Sequence, residues 1–319
     1  MVDSHPLVSL IIPTYNNEKT IKECIMSIVN QDYTNKEIIV VNDNSSDNTI
    51  EILKELKSNY NFIKIINFNE NKGSPVAMNS GFEHSAGDLI YFMDADAELT
   101  ENFLEKSVSI FSDKEIDVLT CGYTPKEKSP RVYEILFKMN QLTEDTFVNS
   151  NNLGVIPGCF LGFKRNILDE FKFNEKLRAA YDQEFLNKLI KNNKKIFFSS
   201  KLYVYHPVPR KLSTIIKRTY IQNMWRCRTA KLSFSLIKYQ LTITLLLIVG
   251  IILLIFQQYL IFLAGLLLYQ VYLVFRISRF KIGISGFFKL WFVFNIITLV
   301  NITSFISGIF LKPKKFWKD

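Results

Sequence analysis

The chain predicts an α/β fold: a mostly parallel sheet flanked by helices over residues 1–210, followed by membrane-seeking segments. Three observations lead there. Strand and helix signals alternate along the first part of the chain. The apolar run Leu89-Ile90-Tyr91-Phe92-Met93 ends directly in Asp94-Ala95-Asp96, two carboxylates one residue apart. Charge is also divided: residues 1–184 carry 18 Lys+Arg against 29 Asp+Glu, whereas residues 185–319 carry 21 against 1. A sequence pI near 9.2 therefore does not describe a uniformly basic protein.

The elements follow in order. Residues 8–12 are an apolar run closed by Pro13 and read as the first strand. Residues 18–30 place Ile21, Ile25 and Ile28 at the spacing of one helix face. Residues 37–41 are a strand, 47–59 a helix, 62–67 a strand, 74–83 a helix and 89–93 a strand. Runs that are apolar at nearly every position suit strands buried on both faces, as in a parallel sheet with right-handed crossovers. No internal repeat or low-complexity segment interrupts the order. Cys24, Cys121, Cys159 and Cys227 are dispersed without a CxxC pair, which indicates neither a disulfide frame nor a zinc site.

Three loops stand at strand carboxyl ends: Pro13-Thr14-Tyr15-Asn16, Asn42-Asp43-Asn44-Ser45 and Asp94-Ala95-Asp96. In a doubly wound sheet such loops converge on the ligand crevice. Asp43 can accept hydrogen bonds from a base or ribose, and Tyr15 can pack against a base. The carboxylate pair suits Mg2+ or Mn2+, ions held by one or two carboxylates together with substrate phosphates. No GxGxxG follows the first strand and no GxxxxGK[ST] occurs, which argues against a dinucleotide site and removes the P-loop reading.

These residues resemble the inverting family 2 glycosyltransferases of GT-A fold. The resemblance is carried by residues 8–16 (VSLIIPTYN), 38–47 (IIVVNDNSSD), Asn71-Lys72-Gly73 followed by 78–81 (MNSG), and 87–96 (GDLIYFMDAD). It implies a nucleoside-diphosphate sugar as donor, with UDP- favoured over GDP-. Asp43 then resembles the base-recognising aspartate, and Pro13, Thr14 and Tyr15 the nucleotide-cradling first loop. Asp94 and Asp96 resemble the DxD motif, with Asp96 the direct metal ligand, and Lys72 approaches the phosphates. Residues 178–186 (RAAYDQEFL), preceded by 156–163 (IPGCFLGF), resemble the acceptor-side element, which makes Asp182 the catalytic base. Tyr181 stands where an acid is usual, so Glu184 keeps some claim to that role. His206, after the last strand, resembles a late histidine that reaches the metal or diphosphate. Gln222-Asn223-Met224-Trp225-Arg226 is a near miss to QxxRW of processive synthases, with the last two residues reversed.

The remainder reads as membrane sequence. Residues 211–236 mix apolar, aromatic and basic side chains and suit a helix in the headgroup plane. Residues 237–319 hold apolar runs at 241–256, 259–275 and 291–311, each near the roughly 17–25 residues a span needs. The first two read as a hairpin. Lys231 and Lys238 before it, and Arg276, Arg279 and Lys281 after it, put the N-terminal domain on the cytoplasmic side. A third span would export Lys312, Lys314, Lys315 and Lys318 against that rule, so a re-entrant segment stays open beside it. No signal peptide is legible, and anionic lipid rather than nucleic acid is the expected partner of the basic half.

The sequence thus leads to a multi-pass membrane enzyme of metal-dependent glycosyl transfer, with a lipid-linked or glycan acceptor at the cytoplasmic face. An oligomer is compatible with it. The alternatives are a processive polysaccharide synthase and a non-catalytic nucleotide-sugar-binding membrane protein.

Overall fold

The computed structural model describes residues 5–126, 142–150, 152–153, 156–208, 211–228, 259–278 and 284–310. The chain divides into two compact units, one of residues 1–128 and 140–207 and the other of 129–139 and 208–319. The first unit is built on one mixed sheet of nine strands. These are β1 (Val8–Thr14), β2 (Lys36–Asn42), β3 (Ile63–Asn67), β4 (Leu89–Met93), β5 (Glu98–Leu99), β6 (Val118–Thr124), β7 (Thr146–Val148), β8 (Phe160–Lys164) and β9 (Ile196–Tyr205). They lie in the order β3-β2-β1-β4-β8-β6-β9-β5, with β7 also on β9.

The first half of that order is the parallel sheet expected from sequence. β1 pairs in parallel with β2 and β4, and β2 with β3. The register sets Ile11 beside both Ile39 and Phe92, so β1 and β2 finish level and β4 ends within two residues of them. β8 then runs antiparallel between β4 and β6, and β6 pairs in parallel with β9 across an irregularity at Cys121/Gly122. The sheet is therefore mixed and only mostly parallel.

Alternation along each strand creates two cores. Leu10, Ile12, Val40 and Tyr91 face the side covered by α1 (Ile21–Val29), α2 (Thr49–Asn59) and α4 (Phe103–Asp113). Ile11, Ile39, Val41 and Phe92 face the side covered by α3 (Ser74–Glu83) and by the helices Arg165–Glu170 and Tyr181–Lys191. Each helix buries the face its sequence spacing marks. On α1 these are Ile21, Cys24, Ile25 and Ile28, and on Tyr181–Lys191 they include Phe185, Leu186 and Leu189.

A buried carboxylate fastens the amino-terminal edge of the sheet, opposite the strand ends where the candidate loops lie. Glu37 accepts a 2.6 Å bond from the Ser9 hydroxyl, a 2.7 Å bond from the Ala86 N–H and a 2.7 Å bond from Lys64 Nζ. Ser9 Oγ in turn accepts the Gly87 N–H at 2.8 Å. One side chain so ties β1, β2, β3 and the turn into β4.

The second unit contains three described helices, Leu212–Arg228, Tyr259–Ser278 and Ile284–Phe310. Leu273, Ile277, Leu290, Val293 and Phe294 form a small core. Beside it Trp291 Nε1 donates to Gln270 Oε1 at 2.6 Å, and Gln270 Nε2 donates to Asn295 Oδ1 at 3.2 Å. Leu267, Leu268, Phe275, Phe288 and Leu299 are exposed. Among the described residues no helix is long and apolar enough to cross a membrane, so the spans expected over 259–275 and 291–311 find no support there. The expected run 241–256 lies outside the described residues, as do Lys231, Lys238, Arg279, Lys281 and the basic residues from Lys312 on.

Burial pushes the Glu37 pKa up, but the Ala86 N–H, Lys64 and Ser9 outweigh it and hold the carboxyl below its ordinary 4.5. A folded value below the unfolded one means that the stability Glu37 contributes is complete above the unfolded value and is lost as pH falls through the folded one. Glu37→Gln is expected to cost about 1–3 kcal/mol at neutral pH. It should also flatten the acid limb of the Tm-against-pH profile, as followed by thermal denaturation of the full chain.

Candidate active site

The loops after β1 and β2 are laced to each other by side chains suited to turns. Asn16 and Asn44 adopt left-handed φ values of 54° and 63°, which asparagine tolerates better than most residues. The Asn16 N–H donates to Ser45 Oγ at 2.9 Å, the Ser46 N–H donates to Asn16 Oδ1 at 2.8 Å, and the Asp43 N–H donates to Thr14 O at 2.8 Å. Asn17 Oδ1 accepts both the Thr14 hydroxyl at 3.0 Å and the Tyr15 N–H at 3.1 Å. Thr14 is buried by this, and Tyr15 is turned outward with 47% exposure, a ring free to meet a flat ligand. Pro13 is half-buried at the penultimate position of β1.

Asp43 lies buried beneath Asn71-Lys72-Gly73. Its Oδ1 accepts the Lys72 N–H at 2.6 Å and its Oδ2 the Gly73 N–H at 2.8 Å. Burial raises the Asp43 pKa, and these N–H groups, Arg178 and Lys72 offset only part of that rise. Each oxygen keeps a further lone pair for a donor group of a ligand. The Lys72 ammonium sits 5.2 Å over the Phe68 ring.

The loop after β4 carries the metal candidates. The Asp94 N–H donates to Cys159 O at 3.1 Å, and Asp94 O accepts the Ala97 N–H at 3.0 Å, which fixes the turn on which Asp96 projects. His206 arrives from the far end of β9, its backbone N–H donating to Thr124 O at 3.0 Å and its ring edge-on to Tyr123 at 5.3 Å. Its Nδ1 lies 3.0 Å from Pro207 O. A carbonyl only accepts, so Nδ1 carries the hydrogen and Nε2 faces the acids. Nε2 is 3.5 Å from Asp94 Oδ2 and 3.2 Å from Asp96 Oδ1. Burial pushes the imidazole pKa down, but the two carboxylates outweigh it and raise it to about 10.

Ligand atoms of Asp94, Asp96 and His206 lie within 4.8 Å of one another, a group that can hold a metal ion. The donor set fits the expected ion, since carboxylate oxygens suit Mg2+ and Mn2+ and an imidazole nitrogen also suits a first-row metal. Nε2 and the two carboxylates thus face one point, at which they could ligate an ion.

Across the cleft stands the helix Tyr181–Lys191. Ala180 opens it with a left-handed φ of 56°, a conformation that costs an L-residue about 1–2 kcal/mol. Asp182 falls in the first turn, where the helix dipole favours a negative charge. Glu184 is two residues on, about 200° around the axis, so the two carboxylates do not share a face. Burial raises the Glu184 pKa, against the pull of Lys188 and Lys191. The Tyr181 phenol shares a hydrogen bond with Ser74 at the start of α3. Its pKa is raised by burial and then by the charges of Asp94 and Asp182, so the metal loop and this helix converge on one place.

Two features were not anticipated from sequence. A Cβ built at Gly158 would lie 2.2 Å from Asp182 Oδ2, so a larger residue there would push the carboxylate from its place. Gly73 has a left-handed φ of 92°, and its missing side chain leaves room for the Arg178 guanidinium. The glycines themselves were visible, but nothing in their spacing names the long-range partner.

The fold is a mixed α/β domain that gathers a candidate metal site at its strand ends. Residues 9–171, about half of the chain, match Glycosyl transferase family 2, and the chain belongs to that family. "Uncharacterized glycosyltransferase YibD" of Escherichia coli (strain K12) is 35% identical over 122 residues, which are 38% of this chain and 35% of that protein. "GalNAc(5)-diNAcBac-PP-undecaprenol beta-1,3-glucosyltransferase" of Campylobacter jejuni is 30% identical over 178 residues, 54% of this chain and 56% of that one. The chain thus spans about a third of the first relative and just over half of the second. Among solved structures, the mannosyltransferase PcManGT from Pyrobaculum calidifontis in complex with GDP-Man and Mn2+ shares the fold with a TM-score of 0.67. That likeness extends over 98% of this chain and 90% of that one at 16% identity.

Gly158→Ala is expected to displace the Asp182 carboxylate without reaching the nucleotide loops. A misplacement near 1 Å can cost about 100-fold in rate. kcat for donor turnover should fall by about that factor while the affinity for nucleoside diphosphate holds, as read from initial rates and calorimetric titration side by side. Loss of an outer partner of a metal ligand costs roughly tenfold in metal affinity or more. Asp96→Ala, which removes a ligand itself, should weaken Mn2+ binding at least that much when free Mn2+ is followed by electron paramagnetic resonance.

Proposed function

We propose that the protein moves a sugar, with inversion, from a nucleoside-diphosphate sugar to a lipid-linked acceptor at the cytoplasmic face of a membrane. The observation that carries the transfer reading is the convergence of Asp94, Asp96 and His206 on one side of a cleft with Asp182 on the other. Pro13, Thr14 and Tyr15 cradle the nucleoside and Asp43 reads its base, with UDP the favoured carrier. Lys72 lies beside that pocket through its backbone bond to Asp43.

Asp94, Asp96 and His206 Nε2 would hold the divalent ion, Mn2+ or Mg2+, which when bound supplies positive charge against the leaving diphosphate. The chain supplies the rest. Asp182 Oδ accepts the proton of an acceptor hydroxyl as its oxygen bonds the anomeric carbon from the face opposite the diphosphate. The bond from that carbon to the phosphate oxygen breaks, its electron pair leaving on the diphosphate, and one such displacement inverts configuration. Tyr181, half-buried, holds a hydrogen bond with Ser74 and lies in the field of Asp94 and Asp182, between the metal loop and the helix of the base.

The membrane part of the proposal rests on sequence and on surface. The helices Tyr259–Ser278 and Ile284–Phe310 expose Leu267, Leu268, Phe275, Phe288 and Leu299, a cluster of apolar side chains that lipid would cover. The Campylobacter jejuni relative is named for an undecaprenol-linked substrate, and an acceptor of that kind suits a domain held at a bilayer. Basic residues flanking the apolar runs favour the cytoplasmic side.

The test is release of nucleoside diphosphate from a panel of UDP- and GDP-sugars by the full chain in detergent, with Mn2+ and extracted membrane lipids. Turnover of one donor, stimulated by lipid, is expected. Asp182→Asn should lower it by about 100- to 10,000-fold, the usual worth of a general base, and Glu184→Gln should leave it intact. Turnover equal in Asp182→Asn and the parent would remove Asp182 from the reaction. An absence of lipid stimulation with a soluble glycan accepted instead would overturn the lipid-linked acceptor.

A further inference from the structure

We propose that Arg178 is a second anchor for the donor: its guanidinium, lying against Gly73 in the loop that Asp43 fastens, receives an anionic oxygen of the nucleoside diphosphate. This rests on the nucleotide-sugar reading above and adds a residue to it.

The geometry at Gly73 comes first. A Cβ built there would fall 2.1 Å from Arg178 Nη1 and 3.2 Å from Cζ, so the guanidinium occupies the volume that any other residue at 73 would fill. The backbone of Gly73, at a φ of 92°, is itself held by the bond from its N–H to Asp43 Oδ2. The guanidinium therefore lies against the loop of the nucleoside pocket, although it comes from a segment more than a hundred residues away in sequence.

Partners come second. Arg178 is exposed, and among the described residues no hydrogen bond or ion pair takes up its five donors. The Asp43 oxygens nearest to it already receive the Lys72 and Gly73 N–H groups. Lys72, the other cation of this loop, has its ammonium over the Phe68 ring. That leaves a planar fork of donors at the mouth of the pocket, the shape that matches a phosphate through two parallel bonds.

Position along the chain gives the contact its consequence. Leu177 is buried and Ala180 sits in its left-handed turn, so Arg178 is clamped on both sides and lies four residues before Asp182. A donor phosphate on Arg178 would join the occupied nucleotide loop to the start of the helix that carries the base. The plain alternative is a counter-charge to Asp43 with no ligand contact, and the two readings part over what the diphosphate adds to the nucleoside.

The experiment titrates the full chain and its Arg178→Ala, Arg178→Lys and Asp96→Ala variants at fixed Mn2+. UDP and GDP are followed by calorimetry, uridine and guanosine by ligand-observed NMR, and each variant's melting temperature is checked against the parent. Arg178→Ala should weaken the diphosphate that the parent binds by about tenfold or more, one charge-assisted contact, while the matching nucleoside binds as before. Arg178→Lys should recover part of the loss. Diphosphate affinity unchanged in Arg178→Ala but lowered in Asp96→Ala would sink the role of Arg178 and leave the site reading standing. Equal losses for nucleoside and diphosphate would assign Arg178 to Asp43 alone and also overturn the proposal. A parent that binds neither UDP nor GDP would sink the nucleotide-sugar reading and this inference with it.

Discussion

The near-level finish of β1, β2 and β4 is the constraint on which the rest of the site depends. Parallel pairing fixes each strand's register against its neighbours, and here it stacks Ile11 between Ile39 and Phe92. Three loops are thereby delivered to one edge before any side chain of the site has acted. The bond from the Asp43 N–H to Thr14 O then continues the ladder one step past the strands. Glu37 holds the opposite edge, where it ties the same strands through Ser9, Lys64 and Ala86. A slip of one residue in any of these strands would turn its side chains to the opposite face of the sheet and displace the loop that follows it.

The site gathers like charge, and each acid is met by a different device. Asp43 is answered by two backbone N–H groups at 2.6 and 2.8 Å, which place donors around it without adding a mobile cation. Asp94 and Asp96 share the His206 imidazole, whose protonated form they favour so strongly that burial is overridden. Asp182 has the first turn of its own helix. The differences matter because a ligand must be able to displace some of these arrangements and not others. Asp94, Asp96 and His206 could hold an ion in place of one another's charge. The backbone bonds to Asp43 remain as the floor of the pocket, with a lone pair on each oxygen still facing outward.

Much of the first half of the fold was legible in the sequence, for a physical reason. Strands buried on both faces must be apolar nearly throughout, and residues 8–12, 37–41 and 89–93 are. β5 has two residues and β7 three, too few for any periodicity to register. The antiparallel entry of β8 between β4 and β6 was equally hidden, because alternation does not reveal which strand a segment will choose as neighbour. Asp94 and Asp96 announced themselves by spacing. His206 was reached only through its resemblance to the family's late histidine, since its approach depends on β9 running parallel to β6. The pairing of Arg178 with Gly73, and of Asp182 with Gly158, joins segments that sequence order keeps apart, and a glycine signals only that something is close.

That last pairing also separates the two candidate bases. A carboxylate that removes a proton must reach the acceptor oxygen, and room for that approach has to be made in the wall opposite. The chain gives the Asp182 carboxylate its place at Gly158, where a Cβ would lie 2.2 Å from Oδ2. Among the described residues no glycine lies against Glu184 in this way, and Glu184 stands about 200° around the helix and in the field of Lys188 and Lys191. Burial holds the Glu184 carboxyl above its ordinary pKa, and that alone does not give it a substrate to act upon. Clearance, rather than acidity, is what distinguishes Asp182. The residue before that helix, Ala180, holds a left-handed φ of 56° that an L-residue adopts at a cost, so the entry into the helix that carries the base is set by the chain around it rather than by local preference.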